Sequence, residues 1–113
     1  MKPINIIIVD DHLLFSQALN GLVSNFDEFN VLKVLNNGRE VIDYISNNNQ
    51  HPEIILMDMQ MPIMDGYEAT RCLRAAAQGR SRIPVICLTA HASAEARDAC
   101  LEAGMDDFMS KPY

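Results

Sequence analysis

Short apolar runs alternate with stretches in which apolar residues recur three or four positions apart. The run from Ile4 to Val9 is too continuous for a half-exposed strand, so it predicts a strand covered on both faces. "FNVLKVL", "PEIILMD", "IPVICLTA" and "MDDFMSKP" predict the second to fifth strands. From Leu13 to about Phe26, the residues Phe15, Leu19, Leu22, Val23 and Phe26 fall on one face of an amphipathic helix. "NNGREVIDYISNN" reads as a turn entering a second helix with Val41, Ile42 and Ile45 on one side. After the loop "MQMPIMDG", Asp65 as N-cap with Glu68 three residues on predicts the start of a third helix, which "AAAQGRSR" ends. "SAEARDACLEAG" predicts a fourth, closed by Gly104. Strands and helices in strict alternation imply a parallel sheet wrapped on both faces, because each crossover must return with the same hand.

The 113 residues suffice for one core and one domain, spanning 1–113. Asparagines are confined to positions up to Asn49 and alanines concentrate from Ala69, but no linker accompanies the shift and the alternation of elements runs through it. No apolar run has the ~18 residues of a membrane span, and "MKPINIIIVDD" lacks a cleavage site, so a cytoplasmic protein is expected. Nine basic residues, spread out, against 15 acidic ones argue against direct nucleic-acid binding. Cys72, Cys87 and Cys100 form no CxxC pair and read as reduced thiols.

The strand ends carry the chemistry. In a doubly wound sheet, ligands collect beyond the carboxyl ends of the strands. "VDDH" follows the first strand, "LMD" the third, "LTA" the fourth and "SKP" the fifth, which would bring Asp10, Asp11, Asp58, Thr89 and Lys111 to one crevice. Three carboxylates so close resist joint ionisation without a cation. Hard oxygen ligands that leave positions for water and phosphate suit Mg²⁺. A lysine and a threonine hydroxyl could hold the other oxygens of a phosphoryl group, whose transfer depends mostly on positioning and charge neutralisation.

These motifs, "VDDH", "ILMDMQMPIMDGYEATR", "PVICLTA" and "AGMDDFMSKP", in this order and spacing, resemble the receiver domains of two-component response regulators. The resemblance implies a flavodoxin-like α/β fold with a five-stranded parallel sheet in the order 2-1-3-4-5. It also implies that Asp58 accepts a phosphoryl group from a phosphohistidine of a sensor kinase or phosphotransfer domain. Asp11 and Asp58 would bind Mg²⁺ directly with the backbone carbonyl of Gln60, and Asp10 through water. Lys111 would pair with Asp58 and then with the phosphoryl group, to which the Thr89 hydroxyl would move. Phe108 stands where the family places a switching aromatic, without the hydroxyl of the frequent tyrosine. Such a domain phosphorylates and dephosphorylates itself. The alternative is a pseudo-receiver acting only in protein–protein interaction. A phosphatase using an aspartyl phosphate is disfavoured, because Gln60 occupies the place of its general acid.

Each assignment has a plainer rival. Asp10 or Asp11 could cap a helix, Thr89 could be an ordinary strand end, and Phe108 a half-buried strand aromatic. His12 is expected at the start of the first helix with its side chain pointing away from the crevice. His91 lies where the family tunes phosphate lifetime, or is a loop residue without a role. Met57, Met59, Met61 and Met64 are expected to pack rather than bind soft metals. "INIIIVDDHLLFSQALNGL" resembles receivers that precede helix-turn-helix domains, whereas the chain from "MDMQMPIMDGYEATR" on resembles those of hybrid kinases; a chimeric joint and drift within the family both fit. Family members continue into a fifth helix after the position of Tyr113. Its loss would expose an apolar strip on the first and fifth strands and favour self-association.

Overall fold

The computed structural model describes residues 2–47, 51–77, 82–90 and 93–111. Its elements are β1 (Ile4–Val9), α1 (Leu13–Ser24), β2 (Phe29–Leu35), α2 (Gly38–Asn47), β3 (Ile54–Asp58), α3 (Gly66–Ala77), β4 (Val85–Thr89), α4 (Ala94–Ala103) and β5 (Asp107–Ser110). The strands form one parallel sheet in the order β2-β1-β3-β4-β5, as expected. No helix follows β5 among the described residues, and none of the described helices is long and apolar enough to cross a membrane.

β1 is buried on both sides because its side chains alternate between two cores. Ile7 and Val9 face the larger one, where Val41 of α2, Ala69 and Leu73 of α3 and Cys100 of α4 pack over Ile55, Met57, Val85 and Cys87. Ile6 and Ile8 face the smaller one, where α1 contributes Leu19 over Leu56 and Leu88. The expected apolar strip is therefore placed differently. Ile6 and Ile8 of β1 are buried on this face, and the open part comprises half-buried Ile4, Ile54 and Ile86 with exposed Met109 on β5. The first helix also differs from its pattern: it ends at Ser24, Leu22 is exposed, and Phe26 packs edge-on against Phe29 outside the helix.

Local polar contacts fix the helix starts. The Asp65 carboxylate accepts the Glu68 N–H at 2.8 Å, and Ser93 does the same for Ala96 at 3.1 Å. For α2, Asn37 accepts the Glu40 N–H while the Glu40 carboxylate accepts the Asn36 N–H. At the end opposite the carboxyl ends of the strands, Arg74 of α3 donates to the carbonyls of Gly104 and Ile83 and to the Asp106 carboxylate. Asp106 also accepts the Val85 N–H, so one guanidinium joins α3, the start of β4 and the approach to β5.

Candidate functional site

Three elements bring their polar ends together. Asp10 follows β1 and remains in the sheet through its N–H, which donates to Leu35 O at 3.0 Å. Its carboxylate accepts the His12 N–H at 2.9 Å, so it starts α1 as well. Asp58 is the last residue of β3, beside Leu88 of β4. Lys111 follows β5 and donates its N–H to Thr89 O at 2.7 Å, which carries its side chain back across the strand ends. Its ammonium lies 2.9 Å from Asp10 Oδ2 and 3.4 Å from Asp58 Oδ1. The side chains of Asp10, Asp58 and Lys111 are 1%, 7% and 6% exposed.

One buried ammonium thus faces two buried carboxylates, with Asp11 at the rim. Burial, and then the neighbouring Asp10 charge, push the Asp58 carboxyl above its ordinary value; Lys111 and the Gln60 N–H oppose the rise without cancelling it. Asp58 Oδ2 is buried without a hydrogen-bond donor, and Asp10 Oδ2 has Lys111 only as a charge partner. A buried carboxylate oxygen left in that state is costly, and a cation relieves it. The donor set of carboxylate oxygens beside the Gln60 backbone fits a hard divalent ion such as Mg²⁺.

Above these groups opens a cleft of about 630 Å³ lined by Asp58, Gln60, Thr89, Lys111, His12 and Tyr67, with the buried Asp10 beneath. The seven residues to which the resemblance gives a site or switch role, Asp10, Asp11, Asp58, Gln60, Thr89, Phe108 and Lys111, fall within the described residues, and all but Phe108 gather at this end of the sheet. Phe108 does not line the cleft: it lies half-buried over the larger core, with the Arg97 guanidinium 5.6 Å from its ring centroid.

The sequence reading erred on His12. It does precede α1, but its side chain turns toward the crevice, with Nδ1 3.4 Å from Asp10, 3.5 Å from Asp11 and 3.9 Å from Asp58. Two further contributors went unnoticed. Phe15 presents its ring both to His12, edge-on, and to the Lys111 ammonium at 4.8 Å. Gly66 packs against the backbone of Asp58, a contact that the "MDG" motif signals only once the loop is folded. Met57 is buried in the core and Met59, Met61 and Met64 pack against it, as expected. His91 lies outside the described residues.

The model of the response regulator receiver domain family matches residues 6–113. The chain is a receiver domain. This receiver is 35% identical to the response regulator MprA of a Mycobacterium species over 98% of its own length and 45% of that protein. It is 38% identical to the sensor histidine kinase RcsC of Escherichia coli over 95% of its length and 10% of the kinase. Among solved structures, the receiver domain of the sensor histidine kinase PA1611 from Pseudomonas aeruginosa, which has a magnesium ion coordinated in its active-site cleft, superposes with a TM-score of 0.82 at 34% identity, covering 99% of this chain and 88% of that one. The receiver spans less than half of these curated relatives, one a regulator and the other a kinase.

Proposed function

We propose that this receiver is a phosphoacceptor switch in which Asp58 takes a phosphoryl group from a histidine of a sensor kinase or phosphotransfer domain. The observation that carries this reading is the Lys111 ammonium set between buried Asp10 and Asp58, with Asp58 Oδ2 unpaired at the floor of an open cleft. Asp10, Asp11, Asp58 and the Gln60 carbonyl would hold Mg²⁺, which when bound neutralises charge on the transferring group and on the carboxylates. Asp58 forms a bond to phosphorus as the phosphorus–nitrogen bond breaks, giving an aspartyl phosphate and a free imidazole. Lys111 then neutralises a phosphoryl oxygen in place of the Asp58 carboxylate, and the Thr89 hydroxyl donates to another.

The readout follows from the same elements. Thr89 ends β4, and its neighbour β5 carries Phe108 against the larger core below Arg97 of α4. Movement of Thr89 toward a phosphoryl group would let Phe108 follow and alter the α4 surface. Exposed Leu13 and Leu14, directly after His12, offer an apolar rim on which a helical phosphotransfer partner could dock. A reducing, cytoplasmic setting suits the unpaired thiols.

The test is incubation with Mg²⁺ and acetyl phosphate, followed by intact-mass measurement. Wild type should gain one acid-stable, base-labile phosphate, and Asp58→Asn none. An unlabelled wild type would instead support the pseudo-receiver reading.

A further inference from the structure

His12 has no part in the phosphoryl transfer described above, yet its ring nitrogen lies within 3.9 Å of an oxygen on each of three carboxylates. Asp10, Asp11, His12 and Asp58 each present one ligand atom, and all four atoms lie within 4.8 Å of one another. That is close to the span of one inner coordination sphere, in which donors about 2.1 Å from an ion stand roughly 3 Å apart side by side and roughly 4 Å apart across it. The unpaired Asp58 Oδ2, on a side chain 7% exposed, is the oxygen nearest to His12 on that residue. No local structural duty occupies the imidazole. His12 caps α1 through its backbone, its side chain makes no capping hydrogen bond, and the ring is 60% exposed with Phe15 against it edge-on.

We propose that His12 is a fourth side-chain ligand to the divalent cation of this pocket, beside the three carboxylates and the Gln60 carbonyl, and that it shifts the site's preference from Mg²⁺ toward imidazole-accepting first-row metals. The inference rests on the reading that Asp10, Asp11 and Asp58 hold a divalent cation. Mg²⁺ is a hard ion that favours oxygen and gains little from a ring nitrogen. Mn²⁺, Ni²⁺ and Zn²⁺ accept imidazole readily, with affinity rising from Mn²⁺ to Ni²⁺. The Nδ1 atom therefore adds to the affinity for one class of ion and leaves the other nearly unchanged. A carboxylate-only pocket would rank the same ions with a narrower spread.

Isothermal titration of the full chain with Mg²⁺, Mn²⁺ and Ni²⁺ tests this in wild type, His12→Gln and Asp58→Asn, counting as specific only the Ni²⁺ that excess Mg²⁺ displaces. His12→Gln should weaken Ni²⁺ binding by at least about tenfold and Mn²⁺ binding by less, while Mg²⁺ binding stays within about twofold. Electron spin-echo spectra of the Mn²⁺ form should show a coupled ring nitrogen in wild type and none in His12→Gln. Unchanged Ni²⁺ affinity, an equal loss for Mg²⁺, tighter Mg²⁺ binding in the variant, or a nitrogen signal that survives the substitution would each overturn the proposal. If Mg²⁺ fails to bind wild type and Asp58→Asn alters no ion, the underlying cation site is overturned instead.

Discussion

A β-carbon on Gly66 would stand 2.2 Å from the carbonyl oxygen of Asp58. No side-chain rotation relieves such a contact, because the backbone fixes the position of a β-carbon and its partner is a main-chain carbonyl. The first turn of α3 is thus pressed directly against the strand end that carries Asp58. The Gly66 N–H, which donates to Met59 O at 3.0 Å, holds the two together.

Gly66→Ala should therefore act on stability and on the site at once. Separating α3 from β3 is an overpacking change, expected to cost roughly 1–3 kcal/mol in urea denaturation. The displaced Asp58 should also lose most of its labelling by acetyl phosphate. A variant with wild-type midpoint and wild-type labelling would show that the strand end does not depend on this approach.

Asp58 itself should be a liability to the metal-free fold. Burial and the Asp10 charge raise its pKa, so the ionised form is less comfortable folded than unfolded. Stability from this group is present below its ordinary value of 3.8 and is lost as pH rises through the higher folded value. Asp58→Asn removes the charge and should stabilise the metal-free protein at neutral pH by about 1 kcal/mol, or roughly 4–8 °C in Tm. The gain should disappear near pH 3. Saturating Mg²⁺ should raise the Tm of wild type and scarcely that of the variant, narrowing or reversing the order. A less stable Asp58→Asn without metal would contradict this account of the site's electrostatics.

Much of this was legible in the chain. Short apolar runs, helical spacing and capping signals placed all nine elements, and the polar residues just after the apolar runs marked Asp10, Asp58, Thr89 and Lys111, since parallel strands bring those ends to one side. Side-chain direction was not legible. Whether His12 turns toward or away from the carboxylates depends on the backbone angles at the start of α1, which Asp10 sets by accepting the His12 N–H. Nor did the sequence tell how fully α1 covers Ile6 and Ile8, because Leu22 and Phe26 shared the helical pattern with Leu19 but not its burial. Close backbone approach at Gly66 likewise carries no periodic signal.

Arg74 should be the costliest single truncation far from the site. Its bonds to Gly104 O at 2.9 Å, Ile83 O at 2.7 Å and Asp106 Oδ2 at 2.8 Å point to three segments. Arg74→Ala should lower stability by roughly 2–3 kcal/mol, with the loss seen in the urea midpoint. Lysine should recover only a small part, since an ammonium cannot reproduce the planar fork. Asp106 and the Gly104 carbonyl retain Arg82, at 2.6 and 2.9 Å, so the loss should come mainly from the Ile83 carbonyl and the packing of the Arg74 stem. Arg82→Ala, on an exposed side chain, should cost well under half as much. Equal effects of the two alanine variants would place the weight on the ion pairs instead.

The three thiols should separate cleanly by reactivity. Cys72 is exposed on α3, whereas Cys87 and Cys100 are buried against each other, with Sγ atoms 2.7 Å apart. Burial, then the hydrogen bond from Cys100, pushes the Cys87 thiol far above its ordinary value, so almost no thiolate is present at neutral pH. Iodoacetamide should therefore modify the native protein once, at Cys72, and all three cysteines after denaturation in urea. Labelling of the buried pair in the native state would have to proceed through opening of α4 from the sheet, and its rate would then follow global or local unfolding rather than thiol chemistry. Rapid native labelling at Cys87 or Cys100, with rates insensitive to added stabilising Mg²⁺, would contradict the packing of α4 over β4 described here.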